Sequence, residues 1–150
     1  MKRSHFAVLG VKNRLLRLFW RCETMLALGL AWVLVFVMPF RHTAALIGGT
    51  RQIEPSKTAS DPTQTLKRAA SVTRRLERIA PLMPFRTTCL VRAIAGWLLL
   101  SRRGLGSTIR FGVAMEDSKL SAHAWLIVEG VTLLGGAEAE GFQPLADLGG

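Results

Sequence analysis

The amino-acid sequence predicts an α+β fold. N-terminal helices come first, followed by a core in which a helix carrying a cysteine packs on a small antiparallel sheet carrying a histidine. Three observations predict it. Apolar residues recur at helical spacing up to the ArgArgGly at Arg102–Gly104, then alternate with period two. Proline and glycine fall between the periodic segments. Cys89 stands where the last helical segment begins, and His123 lies inside the second alternating one. At 150 residues the chain is about one domain and long enough to bury a real core.

The first segment, residues 1–22, is basic with apolar residues interleaved, and Leu15, Leu18, Phe19 and Cys22 follow helical spacing. Cys22 on that stripe is expected to be a small core residue. Then comes Thr24–Phe40, a run without charge, which raises the mean hydropathy to +0.28. Seventeen residues make a helix of about 25 Å, short of the roughly 30 Å bilayer core, and Pro39 shortens it further. A signal peptide would have a shorter basic start and a better cleavage site than HTAAL. The run is therefore expected to be a buried or membrane-touching helix. Residues 40–49, FRHTAALIGG, form a short helix closed by Gly48 and Gly49, with His42 exposed or capping. Residues 50–64 are rich in Ser, Thr, Pro and charge and read as a linker. It divides a hydrophobic and basic helical region, 1–60, from a core, 61–150.

Residues 65–80 form a helix by pattern, capped by Asp61 or Thr63 and ended by Pro81. Lys67, Arg68, Arg74, Arg75 and Arg78 lie mainly off its apolar stripe. They make either a solvated face or a docking surface for an acidic peptide or a lipid head group. Thr87 or Thr88 can cap the next helix, on which Leu90, Ile94, Trp97 and Leu98 share a face, and Gly104 closes it after Arg102 and Arg103. Thr108–Met115 and Ser121–Val128 alternate as strands, and Glu129-Gly130 turns tightly into a third, Val131–Leu134. His123 shares a strand face with Ser121, Trp125 and Ile127. The remainder reads as a Gly-rich loop and the short segment FQPLADL.

The formal charge is +10, and every Lys and Arg lies at or before Lys119. A basic surface favours nucleic acid, an anionic membrane or an acidic peptide, and charge does not choose among them. Two cysteines in different contexts, with no CxxC and no zinc spacing, exclude a disulfide framework and a zinc site and fit a reducing cytoplasm.

A cysteine just past a helix cap sits among the unpaired N–H groups of the first turn, which favour the thiolate and could hold an oxyanion. Paired with a strand histidine, it matches the arrangement of papain-like and transglutaminase-like enzymes. An acid normally orients the imidazole. Glu129, Glu138, Glu140 and Asp147 follow His123. Glu129 belongs to the hairpin turn, and Glu138 and Asp147 remain as candidates.

Cys89-Leu90, Arg92-Ala93, Arg102-Arg103-Gly104, Gly112-Val113 and Ala122-His123-Ala124-Trp125 together resemble the lasso-peptide leader peptidases, B-type maturation proteases of the transglutaminase-like superfamily. The hydrophobic helix ending in Pro39-Phe40-Arg41 is similar in composition. The resemblance implies a cysteine endopeptidase that removes the leader from a ribosomally made (RiPP) precursor before macrolactam formation, with Cys89 as nucleophile, His123 as base and no cofactor or metal. Its partners would be the precursor's leader region, a separate RiPP recognition element and an ATP-dependent lasso cyclase. Nucleic acid is not among them. The site would be cytoplasmic, with peripheral membrane contact open. Relatives carry an Asp about a dozen residues after the histidine, where this chain has Leu133-Leu134-Gly135-Gly136. Glu138 is the candidate third member, and a Cys-His dyad is the other choice. Two further readings compete. A membrane-associated basic binding protein explains the charge and leaves Cys89 and His123 without a role. A transglutaminase-like acyltransferase shares the first half-reaction.

Overall fold

The fold, described by a computed structural model over residues 3–49, 61–116 and 119–149, is a helical layer on a four-stranded antiparallel sheet. The expected 50–64 linker lies, up to residue 60, outside the described residues.

Helix α1, Arg3–Phe36, runs without a break from the basic segment into the apolar run. It buries one narrow stripe, Thr24, Leu28, Ala31 and Leu34, while Leu26, Leu30, Val33 and Phe36 stay exposed, Leu26 at 74 %. The part from Arg14 to Phe36 is long and apolar enough to cross a membrane by length and composition. Cys22 is exposed rather than part of the core, because the buried stripe passes through Thr24 and leaves Cys22 off it. Helix α2, Phe40–Gly49, follows the turn at Pro39. Buried Thr43 donates to the carbonyl of Leu34 at 2.7 Å and ties α2 to the end of α1, and His42 is exposed.

Helix α3, Pro62–Ile79, starts at Asp61, whose carboxylate accepts from the Thr63 N–H at 3.0 Å. A single 3-10 turn, Ala80–Leu82, ends it at Pro81. Helix α4, Cys89–Ser101, is central. It is covered by α1, α3 and the sheet, so Val91, Ala93 to Trp97, Leu99 and Leu100 are all buried and its apolar surface runs almost all round instead of along one face. Gly96 lets the sheet approach, since a Cβ there would stand 2.7 and 2.8 Å from the methyls of Leu134 and Leu126. The Leu105 N–H to Leu100 carbonyl and Gly104 N–H to Ser101 carbonyl bonds, both 3.0 Å, close α4 around Gly104 at φ +65°. Beside this end Arg103 donates to Glu23 of α1 at 2.6 Å.

The sheet order is β3-β2-β1-β4, with β1 Thr108–Glu116, β2 Lys119–Val128, β3 Val131–Leu134 and β4 Gln143–Leu148. Glu129 and Gly130, at φ +49° and +76°, form the tight β2–β3 turn. The register pairs Ile109 with Leu126 and Phe111 with Ala124 on the face towards α4, and Gly112 with His123 on the other face. The stretch expected as a Gly-rich loop contains the short helix α5, Gly136–Ala139, and the segment FQPLADL, to which the sequence assigns no element, forms β4, which pairs along β1. Five of the six β4 residues, Gln143 to Asp147, are exposed, so the strand lacks the half-buried alternation that sequence reading relies on. Backbone pairing and the Arg110–Asp147 ion pair, with two bonds of 2.7 Å, hold it instead.

Candidate active site

The start of α4 is built by Thr88. Its hydroxyl accepts from the Val91 N–H at 3.4 Å and its carbonyl from the Arg92 N–H at 3.0 Å. Cys89 is thus the first helical residue, and the N–H groups of Cys89 and Leu90 precede the helical ladder. The thiol is free and half-buried. Pro81 lies in the 3-10 turn rather than in an extended stretch, a bend at Pro84 follows, and Thr87 donates back to the Ala80 carbonyl at 3.4 Å.

His123 is 9 % exposed. β3 pairs with β2 only over Leu126–Val128, so the β2 edge beside His123 is covered by the residues after β3 rather than by a strand. There the ring meets the carbonyl of Gly135, with Nε2 at 3.0 Å. The carbonyl can only accept, so Nε2 carries a proton, and in the neutral ring Nδ1 is the nitrogen with the lone pair. Trp125 stacks on the ring at 5.9 Å, with an angle of 20° between the planes, and Phe142 stands 5.3 Å from it. Trp125 has room because residue 112 is glycine: a Cβ there would lie 2.6 Å from its ring.

Cys89 and His123 face one cavity of about 390 Å³, which Arg92, Glu77, Gly135 and Glu138 also line. Helix start and strand histidine therefore line the same cavity. No hydrogen bond joins the sulfur to the ring. Catalytic hydrogen bonds are often long before substrate arrives. Glu138 is present at the cavity, but its carboxylate is 3.8 Å from Nε2 and its side chain 68 % exposed. It is close enough to act through its charge and beyond hydrogen-bonding distance. Asp147 is taken by Arg110, which holds its carboxyl below the usual range by hydrogen bonding. It does not line the cavity, and neither does Glu140 or Glu129.

Two features of the site were not assigned roles by sequence reasoning. Gly135 sits at φ +70° and contributes a backbone carbonyl, a group no side-chain pattern announces. Arg92 is one helical turn on from Cys89 and so shares its side of α4. Its buried Nε has no hydrogen-bond partner, which leaves a donor unspent in the cavity wall. The Arg in the Cys-Leu-x-Arg spacing is the signal that pointed to it. Among the described residues no group of three or more His, Cys, Asp or Glu is placed to hold a metal ion.

A family model described as the transglutaminase-like superfamily matches residues 34–147, most of the chain. The match includes Cys89, His123, β1 to β3 and β4 as far as Asp147. No curated protein and no solved structure matches it significantly.

Proposed function

The chain belongs to the transglutaminase-like superfamily, and from that premise we propose that it is a cysteine endopeptidase that removes the leader from a lasso-peptide precursor. The observation that carries this reading is the shared cavity: a cysteine at the first residue of α4 and a strand histidine whose Nε2 is committed elsewhere. With Nε2–H donated to Gly135, Nδ1 is the nitrogen free to take the thiol proton.

The steps follow from that arrangement. His123 Nδ1 accepts the proton of Cys89, and Sγ attacks the scissile carbonyl carbon. The N–H groups of Cys89 and Leu90 stand where the resulting oxyanion can be held, and the partial positive charge of the helix start favours both thiolate and oxyanion. As the C–N bond breaks, the imidazolium returns its proton to the leaving nitrogen. The core peptide departs with a free α-amine and the leader remains as a thioester on Cys89. His123 then takes a proton from water, which attacks the thioester and releases the leader carboxylate and the thiol. Gly135 orients the ring, and Glu138 adds negative charge 3.8 Å from it. Arg92, in the cavity wall beside Cys89, holds the substrate backbone through its guanidinium.

The partners that belong to this reading are the precursor, a separate leader-binding recognition element and the ATP-dependent cyclase that consumes the new amine. Cytoplasmic location with peripheral contact through the exposed side of α1 is part of the proposal. So is the division at residue 60 between helical region and core.

The test is Cys89→Ala against the precursor in the presence of its recognition element, read by mass spectrometry of the cleaved peptide. Cleavage is expected to disappear, with the variant still folded and still binding its leader-carrying partner. Retained cleavage in a folded variant overturns the reading. An amine-linked product formed by the wild type, with no free leader carboxylate, points to the acyltransferase instead.

A further inference from the structure

Arg92 follows Cys89 by three residues, one turn along α4. A long side chain on a helix leans towards the N-terminus and covers the turn before its own Cα. For Arg92 that turn is the one that begins at Cys89, and both residues line the catalytic cavity. The Arg92 side chain is half-buried. Its Nε is sunk in the wall without a hydrogen-bond partner, and the terminal amino groups, which bond to none of the described residues, are the part that faces the cavity.

Two acids line the same cavity, Glu77 of α3 and Glu138 of α5. Among the described residues neither forms an ion pair with Arg92, and Glu138 approaches His123 instead, at 3.8 Å. Both are exposed, so water and salt screen their charge. The half-buried guanidinium is screened less and acts more strongly on a group beside it.

The charge at the reacting carbon changes during the proposed reaction. Before cleavage Arg92 meets a neutral amide carbonyl. In the last step the thioester C–S bond breaks and a C–O bond to water forms. The thiol regains a proton, and the new acid loses its own to solvent. A carboxylate then stands at the helix start where the carbonyl stood. Arginine binds a carboxylate through two parallel, charge-assisted hydrogen bonds, which are stronger than bonds to a neutral carbonyl.

We propose that Arg92 forms a carboxylate subsite beside Cys89 that retains the cleaved leader by its new C-terminus, so that the product inhibits the enzyme. The identity of that carboxylate rests on the peptidase reading. The subsite itself rests on the placement of Arg92 over the turn of Cys89.

The first test does not depend on cleavage. N-acetylglycine presents a terminal carboxylate on one peptide unit, and N-acetylglycinamide is its neutral counterpart. Each is titrated as a protectant of Cys89 against iodoacetamide, with mass spectrometry of the Cys89 peptide to keep the exposed Cys22 apart. In the wild type the acid is expected to protect at about tenfold lower concentration than the amide, and in Arg92→Gln the two should become equal. Thermal unfolding shows whether the variant is folded, and the comparison of acid with amide in the wild type decides the matter without it. Equal protection by acid and amide in the wild type overturns the subsite. So does a preference for the acid that survives Arg92→Gln. In precursor cleavage, the leader as free acid is expected to inhibit competitively and its C-terminal carboxamide about tenfold more weakly. Equal inhibition by the two overturns product retention. An Arg92-dependent preference for N-acetylglycine together with cleavage by a folded Cys89→Ala variant would support the carboxylate subsite and remove the peptidase reading.

Discussion

Replacing Gly135 by alanine isolates what the backbone carbonyl does for His123. At φ +70° an L-residue costs about 1–2 kcal/mol. The added Cβ would lie 2.9 Å from His123 Nε2, 3.2 Å from the Ala124 carbonyl and 3.3 Å from Trp125 Cβ. Two of these neighbours are fixed by β2, so relief must come from residue 135 and the ring moving apart. The 3.0 Å bond then lengthens, and a buried donor left unpaired costs about 1–3 kcal/mol. A displacement of this kind at a catalytic base lowers kcat by about 100-fold, equivalent to about 2.7 kcal/mol of barrier. The assay is steady-state cleavage of the precursor with kcat and KM separated, with thermal unfolding to show that the variant is folded. Glu138→Gln is measured beside it. Its exposed carboxylate at 3.8 Å is expected to matter only a few-fold. A folded Gly135→Ala enzyme with wild-type kcat refutes the carbonyl as orienter. So does a Glu138→Gln loss greater than that of Gly135→Ala, which would return the role to the carboxylate. Imidazole nitrogen shifts by NMR give an independent reading: the Nε2–H tautomer is expected, and the Nδ1–H tautomer contradicts it.

Three other expectations follow from the packing. Glu23→Ala leaves Arg103 and Arg75 facing each other around Trp20 without their carboxylate. Because the Glu23 and Arg103 side chains are only 10 % and 15 % exposed, the loss should be about 3 kcal/mol, a fall of roughly 6–12 °C in melting temperature by calorimetry. Asp147 is depressed in the folded state by Arg110, so its contribution is present above the ordinary carboxylate pKa of 3.8 and lost as pH falls through the lower folded value. Stability curves should therefore show Asp147→Asn destabilised at neutral pH, with the gap to wild type closing as the pH falls below 3.8. Arg92→Gln keeps some hydrogen-bonding capacity but removes the charge beside Cys89. Precursor kinetics should show KM raised by about tenfold, and an unchanged KM would remove Arg92 from substrate binding.

Much of the architecture was legible because it is written in local periodicity. The helix starts at Asp61 and Thr88, the closure at Gly104 and the Glu129-Gly130 turn depend on side chains and glycine conformations within a few residues of each other. Cys22 follows the helical spacing and is still exposed, because spacing shows which residues share a face and only packing decides which face is covered. α1 is apolar on several sides, so periodicity could not say that the stripe through Thr24 and Leu28 faces α4. β4 escaped for the opposite reason: an exposed edge strand held by backbone pairing and one ion pair has no apolar alternation to read.

By itself the sequence determined the order of helices and strands, the position of Cys89 on a helix start and of His123 on a strand, and the basic character of everything before Lys119. These are consequences of local backbone preference and composition. Tertiary structure alone decided that the two residues face one cavity and that Nε2 is held by a glycine carbonyl. Those are relations between segments far apart in the chain. They are set by how α4 is enclosed and where β3 ends, and a backbone carbonyl carries no residue-type signal at all.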